Sequence, residues 1–134
     1  MTEIEFLSAA SRRTGCGLLL DVSNVVVSSV NHGFDACAYV DAFPLERVGE
    51  FHLAGFAEDR DSDGVRLLID DHGRQVSDAA WDLYRRVLTR RGAAPTLIEW
   101  DNDVPSFSLL AAESGRARDL MAACASGYVT LAAA

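Results

Sequence analysis

The chain has 134 residues, 49% of them hydrophobic, enough for one modest domain. Its formal charge is −8, from twenty acidic residues against twelve arginines and no lysine, which argues against a nucleic-acid groove because phosphate binding needs clustered positive charge. No run approaches the ~20 apolar residues that span a bilayer, MTEIEFLSAASRR does not read as a signal peptide, and three cysteines without CxxC spacing point to a reducing cytoplasm.

In chain order, Ile4, Leu7 and Ala10 have helical spacing over residues 3–13, and Gly15 is a plausible stop. Residues 16–21 form an apolar run expected of a buried parallel strand. Residues 22–33 are ambiguous: Val25-Val26-Val27 favours extended chain, whereas the Ser and Asn residues favour a loop. A helix is expected from about Asp35 to Phe43, ended by Pro44. Strands are expected at 48–54 and 65–70, and residues 57–64 between them are the most loop-like stretch. That connection is shorter than a helical crossover, so a missing helix or a locally antiparallel pair is an open alternative. Ala80, Tyr84, Val87 and Leu88 line one face of the next helix, with Trp81 at its edge. Ser77 or Asp78 can cap its start and Gly92 its end. The arginines Arg85, Arg86, Arg90 and Arg91 read as its solvated face. A fourth strand is expected at 96–100 and a last helix from about Phe107 to Ala123, with a frayed tail over 125–134. The order is helix, strand, helix, strand, strand, helix, strand, helix, which is α/β.

The strand ends carry the chemistry. Asp21 with Asn24, His52, Asp70 with His72, and Glu99 with Asp101 each follow or close an apolar run. In parallel α/β folds such ends form the rim where active sites lie. Period-two alternation puts Asp70 and His72 on one side if the chain stays extended, and likewise Glu99 and Asp101. Carboxylate plus imidazole suits Fe, Mn or Zn, and no cysteine lies in the set. Each residue also has a plainer reading. Asp21 can cap the next helix, His52 can be a hydrogen-bonded core residue, and Asp70-Asp71-His72-Gly73 can be only a turn. Glu99, after Leu97-Ile98, must be paired, metal-bound or protonated if buried.

The strings CGLLLDVSNVVVSSVNHGFDACAYVDAFPLERVGEFHLAG, LLIDDHGRQV and TLIEWDNDVP resemble the multinuclear non-haem iron oxygenases typified by the methanobactin-biosynthesis enzyme MbnB and its relative TglH. The resemblance covers about residues 4–120. It implies a xylose-isomerase-like TIM (β/α)8 barrel holding two or three iron ions. It also implies dioxygen as co-substrate, oxidation of cysteine in a ribosomally made precursor peptide, and a small partner protein that presents the peptide. On the matching positions it implies His52, Asp70, His72 and Glu99 as ligands, Asp21 and Asn24 as ligands or orienters, and His32 and Asp101 as supporting residues. Members usually carry a second histidine after HLAG, where this chain has Phe56.

A full barrel takes about 250 residues. The chain therefore reads as a C-terminal half-barrel, a single partial domain with about four parallel strands, beginning where the helix after the fourth barrel strand would. Leu18, Leu20, Leu67, Ile69 and Ile98 are expected on the open apolar surface. Association with a separate N-terminal half, or self-association, follows from that exposure. The alternatives are an inactive remnant that keeps the fold and weak metal binding, and a divalent-metal isomerase or hydrolase on the same scaffold. The latter is disfavoured by the absence of lysine as acid, base or phosphate anchor.

Overall fold

The computed structural model describes residues 1–132, with side-chain surroundings to residue 125. It is α/β, with a three-stranded parallel sheet, flanking helices and a separate two-stranded hairpin. Helix α1 (Glu3–Thr14) starts with a capping box in which Thr2 accepts from Glu5 N–H and Glu5 accepts from Thr2 N–H. It ends at Gly15, whose φ of 76° is left-handed. Strand β1 (Leu18–Asp21) follows.

The ambiguous stretch is helical. Asp21 caps α2 (Val22–His32) through the Asn24 N–H. The valines do not extend the chain because Val22, Val25 and Val26 recur at helical spacing and are all buried. Ser23 is wholly buried, and its hydroxyl accepts the Ala54 N–H at 2.9 Å. Tertiary burial and one cap thus override a weak local preference. Asp35 caps α3 (Ala36–Ala42), which ends before Pro44. A 3-10 turn at Leu45–Arg47 leads into β2 (Val48–Ala54).

The expectation of four parallel strands is corrected. Sheet order is β1-β2-β5, with β5 spanning Thr96–Glu99, and all three strands are parallel. Residues 57–64, expected to be loop, supply β3 (Ala57–Arg60), which pairs antiparallel with β4 (Arg66–Ile69). Only Gly55 and Phe56 separate β2 from β3, far too few for a crossover. The turn is held by Asp61, whose Oδ1 accepts from Asp63 and Val65 N–H, and by Gly64 at φ 79°. The charged run hid the strand: Glu58, Asp59 and Arg60 are exposed, and Arg66 pairs with Glu58 across the hairpin.

Helix α4 (Asp78–Arg91), capped by Ser77, packs against one face of the parallel sheet. Trp81 is not at its edge but fully buried, as are Tyr84, Phe51 and Leu53. Phe51 and Tyr84 meet edge to face at 5.7 Å. Helix α5 spans Phe107–Ala132; residues 133 and 134 of the tail expected to fray lie outside the described residues. No helix among the described residues is long and apolar enough to cross a membrane, and all three cysteines are free.

Helices cover only the sheet face carrying Leu20, Phe51 and Leu53. Parallel register puts Leu19, Asp21, Glu50, His52, Leu97 and Glu99 on the other face. The apolar residues expected on the open surface are therefore off by one along two strands. Leu20 is buried, and Leu18 and Ile98 pack on the core, whereas Leu19 and Leu97 are 49% and 45% exposed. Ile69 is exposed as expected, at 41%.

A bare face of this kind predicts that the chain expressed alone binds an apolar dye and self-associates. Replacing Leu19 and Leu97 together with Gln should reduce both; sedimentation of the unaltered chain as a dye-silent monomer would contradict this. A second prediction concerns Gly55. A β-carbon there would lie 2.1 Å from the Arg74 carbonyl oxygen, so the residue is needed for close backbone approach. Gly55→Ala should destabilise the fold by about 1–3 kcal/mol, read by chemical denaturation.

Candidate metal centre

Three strand ends and one turn converge. Asp21 closes β1 and is the register partner of His52 on β2. Its Oδ1 accepts the Asn24 N–H and its Oδ2 accepts the Asn24 side-chain amide, both at 2.9 Å. The helix-cap reading of Asp21 is thus correct, and the cap itself orients the carboxylate. Glu99 closes β5, opposite Ala54. Its Oε1 is 3.0 Å from His52 Nδ1, and ligand atoms of Asp21, His52 and Glu99 lie within 4.8 Å of one another. Glu50 stands on the far side of the ring, 3.5 Å from His52 Nε2.

His72 enters from the hairpin. The chain does not stay extended past Asp70, so period-two alternation is not what brings Asp70 and His72 together. Strand β4 ends at Ile69, Asp71 N–H turns back to the Ile69 carbonyl, and His72 has φ 49°. The turn does the same work. His72 Nε2 lies 3.0 Å from Asp70 Oδ1, and Nδ1 lies 3.1 Å from Asp101 Oδ2 and 3.8 Å from Glu99 Oε2. The carboxylate of Glu99 therefore stands between two imidazoles.

Electrostatics and hydrogen bonding both suit this cluster to a cation. Asp21, Glu50, Asp70, Glu99 and Asp101 crowd two imidazoles, and none of these carboxylates pairs with an arginine among the described residues. His72 Nε2 is buried and without a hydrogen bond, although Asp70 Oδ1 is at ion-pair distance. The contact is close but misaligned for a hydrogen bond. Two ligands at right angles on an ion, with bonds of about 2.1 Å, also sit ~3 Å apart. The donor set fits a metal, and the absence of thiolate fits Fe, Mn or Zn in an oxygen- and nitrogen-rich site.

His32 is not among the grouped donors Asp21, His52 and Glu99. It lies in the last turn of α2, an 11-residue helix, and so about 16 Å along the axis from Asp21. Phe56 is partly buried against the core. Four residues were not singled out in the sequence. Ser23 docks α2 onto β2. Asn31 pairs both its amide groups with the Leu68 backbone, at 2.8 and 2.9 Å, and so completes the edge of β4. Asn102 donates its amide to the Asp71 carbonyl at 2.5 Å. Buried Glu113 accepts the Val76 N–H at 3.0 Å and so anchors the segment that follows the His72 turn. For Ser23, Asn31 and Glu113 the signal was a polar residue inside or beside an apolar run, which a periodicity reading discards; Asn102 lies between two aspartates and gave none.

The profile of the RiPP precursor modification enzymes MbnB/TglH/ChrH matches residues 1–122. The chain belongs to this family. Proteins named UPF0276 are similar to it. One from Paraburkholderia phytofirmans is 51% identical over 122 residues, covering 91% of this chain and 40% of its own length. One from Rhizobium meliloti is 48% identical over 127 residues, covering 95% and 41%. One from Bordetella parapertussis is 51% identical over 131 residues, covering 98% and 44%. The chain thus spans about two fifths of the length of the curated relatives it matches.

Burial lowers the His72 pKa, but the Asp101 hydrogen bond and the charges of Asp70, Glu99 and Asp101 outweigh it and hold the value above the ordinary 6.5. The raised value means the imidazolium is favoured in the fold. Its contribution to stability is full below pH 6.5 and is lost as pH rises through the folded-state value. In metal-free protein, the His72 ring signals followed by NMR should titrate above the usual imidazole range, and Asp70→Asn should bring the midpoint down.

Proposed function

We propose that this chain supplies one wall of a multinuclear non-haem iron centre. The centre belongs to a dioxygen-dependent enzyme that oxidises cysteine in a ribosomally synthesised precursor peptide. The observation that carries the reading is the carboxylate of Glu99 between His52 and His72, with the buried Nε2 of His72 unpartnered beside Asp70. Family membership supports the peptide substrate class. The bare face of a parallel sheet, ending in these residues, supports a place in a xylose-isomerase-like barrel whose interior that face would line.

Asp21, His52, Asp70, His72 and Glu99 would hold iron, and Asn24 would orient Asp21 through its two hydrogen bonds. Bound iron supplies redox exchange with dioxygen and Lewis acidity toward a thiolate. The chain's own contribution is positional. Asp21 is fixed by α2, His52 by the middle strand, Glu99 by β5 and His72 by a hydrogen-bonded turn, so the donors need little reorganisation. The dense negative charge favours a cation and disfavours an anionic substrate group that is not itself metal-bound. Leu19 and Leu97 beside the donors would keep that face dry once it is covered. A peptide-presenting partner protein belongs to the same reading.

Anaerobic reconstitution with Fe(II) should leave at least one tightly bound iron per chain, counted after desalting. His52→Ala and Glu99→Ala should each lower that stoichiometry. No bound iron in the parent chain would favour the inactive remnant, and unchanged binding in both variants would remove the site.

A further inference from the structure

We propose that Asp101 and Asn102 form a positioning device. It fixes the His72 imidazole with its proton on Nδ1 and its lone pair on Nε2. The proposal rests on the reading of His72 as a metal ligand and extends it to the ring's tautomer and to the segment that sets it.

The ring and the backbone are held separately. On the ring, Asp101 Oδ2 lies 3.1 Å from Nδ1 with hydrogen-bonding geometry. A carboxylate only accepts, so Nδ1 carries the hydrogen. Asp70 is as close to Nε2, at 3.0 Å, yet makes no hydrogen bond with it. The two nitrogens therefore face carboxylates differently: Nδ1 is aligned as donor to Asp101, with Glu99 Oε2 farther off at 3.8 Å, whereas Nε2 is buried and misaligned with Asp70. On the backbone, His72 is left-handed, at φ 49°, where a residue with a β-carbon is strained. The segment after β5 holds it there. Asp101 N–H and Asn102 N–H both donate to the His72 carbonyl, at 2.9 and 3.3 Å, and the Asn102 amide donates to the Asp71 carbonyl.

The position of Asp101 separates this role from packing. Its side chain is 72% exposed, whereas that of His72 is 17% exposed. Removing the Asp101 carboxylate opens no cavity, and its main-chain N–H survives substitution. A carboxylate on the far nitrogen of a ligating imidazole fixes the tautomer and raises ligand basicity.

Two-bond proton–nitrogen correlation spectra of the imidazoles test this in the metal-free chain, at a pH where His72 is neutral. The unaltered chain should show the Nδ1–H form. Asp101→Ala should populate the Nε2–H form, free to turn toward Asp70, with no loss of melting temperature. Asp101→Asn, whose amide oxygen still accepts, should restore Nδ1–H. Titration with Co(II), followed by its visible absorption, should be weakened about 10–100-fold by Asp101→Ala. An Nε2–H form in the unaltered chain, or a tautomer indifferent to Asp101→Ala, overturns the proposal. Cobalt binding that Asp101→Ala leaves unchanged also overturns it. A tautomer that responds as stated in a chain that binds no cobalt supports the positioning device and overturns the metal reading instead.

Discussion

The carbonyl of His72 receives two peptide N–H groups, from Asp101 and Asn102, and the site depends on that junction. The β3–β4 hairpin shares no ladder with the parallel sheet. Nothing in strand pairing therefore fixes where the end of β4 sits relative to the end of β5. Hydrogen bonds outside any ladder do it. Asn31 grips the middle of β4 through Leu68, and the 101–102 segment grips the turn that follows it. Between those two points the chain can place a histidine beside a glutamate from a different sheet. The left-handed conformation of His72 is the local cost of meeting both restraints.

The second constraint is electrostatic. Five carboxylates face two imidazoles with no arginine among them, while the arginines of α4 serve elsewhere. Arg86 and Arg90 pair with Asp41, and Arg91 donates to the Val48 carbonyl. Structural charge is thus paired far from the site, and at the site it is left uncompensated. The raised His72 pKa expresses the same imbalance through a proton.

Periodicity made much of the fold legible. Helices α1 and α4 and the three parallel strands were readable because each has one continuous pattern, and Thr2, Ser77 and Gly15 lie where caps belong. The hairpin was not readable in full, because Glu58, Asp59 and Arg60 give β3 no apolar face. The valine-rich helix was not readable either, since its β-branched composition and its helical burial pattern compete and only packing decides. Of the site, Asp21, His52, Asp70, His72, Glu99 and Asp101 were visible as donor residues after apolar runs. His32 has the same chemistry but lies in the last turn of α2, at the opposite end of that helix from Asp21.

The candidate donors were legible from residue type and spacing, because carboxylate and imidazole side chains at the ends of apolar runs offer that chemistry. Sequence by itself also located β1, β2, β4 and β5, because each centres on a short apolar run, but not their direction: Leu67-Leu68-Ile69 reads like the others and pairs antiparallel. Tertiary structure alone decided which face each strand presents, since a shift of one residue exchanges Leu20 for Leu19 and Ile98 for Leu97. It alone decided how His72 meets Glu99, because that meeting is made by a turn and by hydrogen bonds between segments 29 residues apart, which no local pattern encodes.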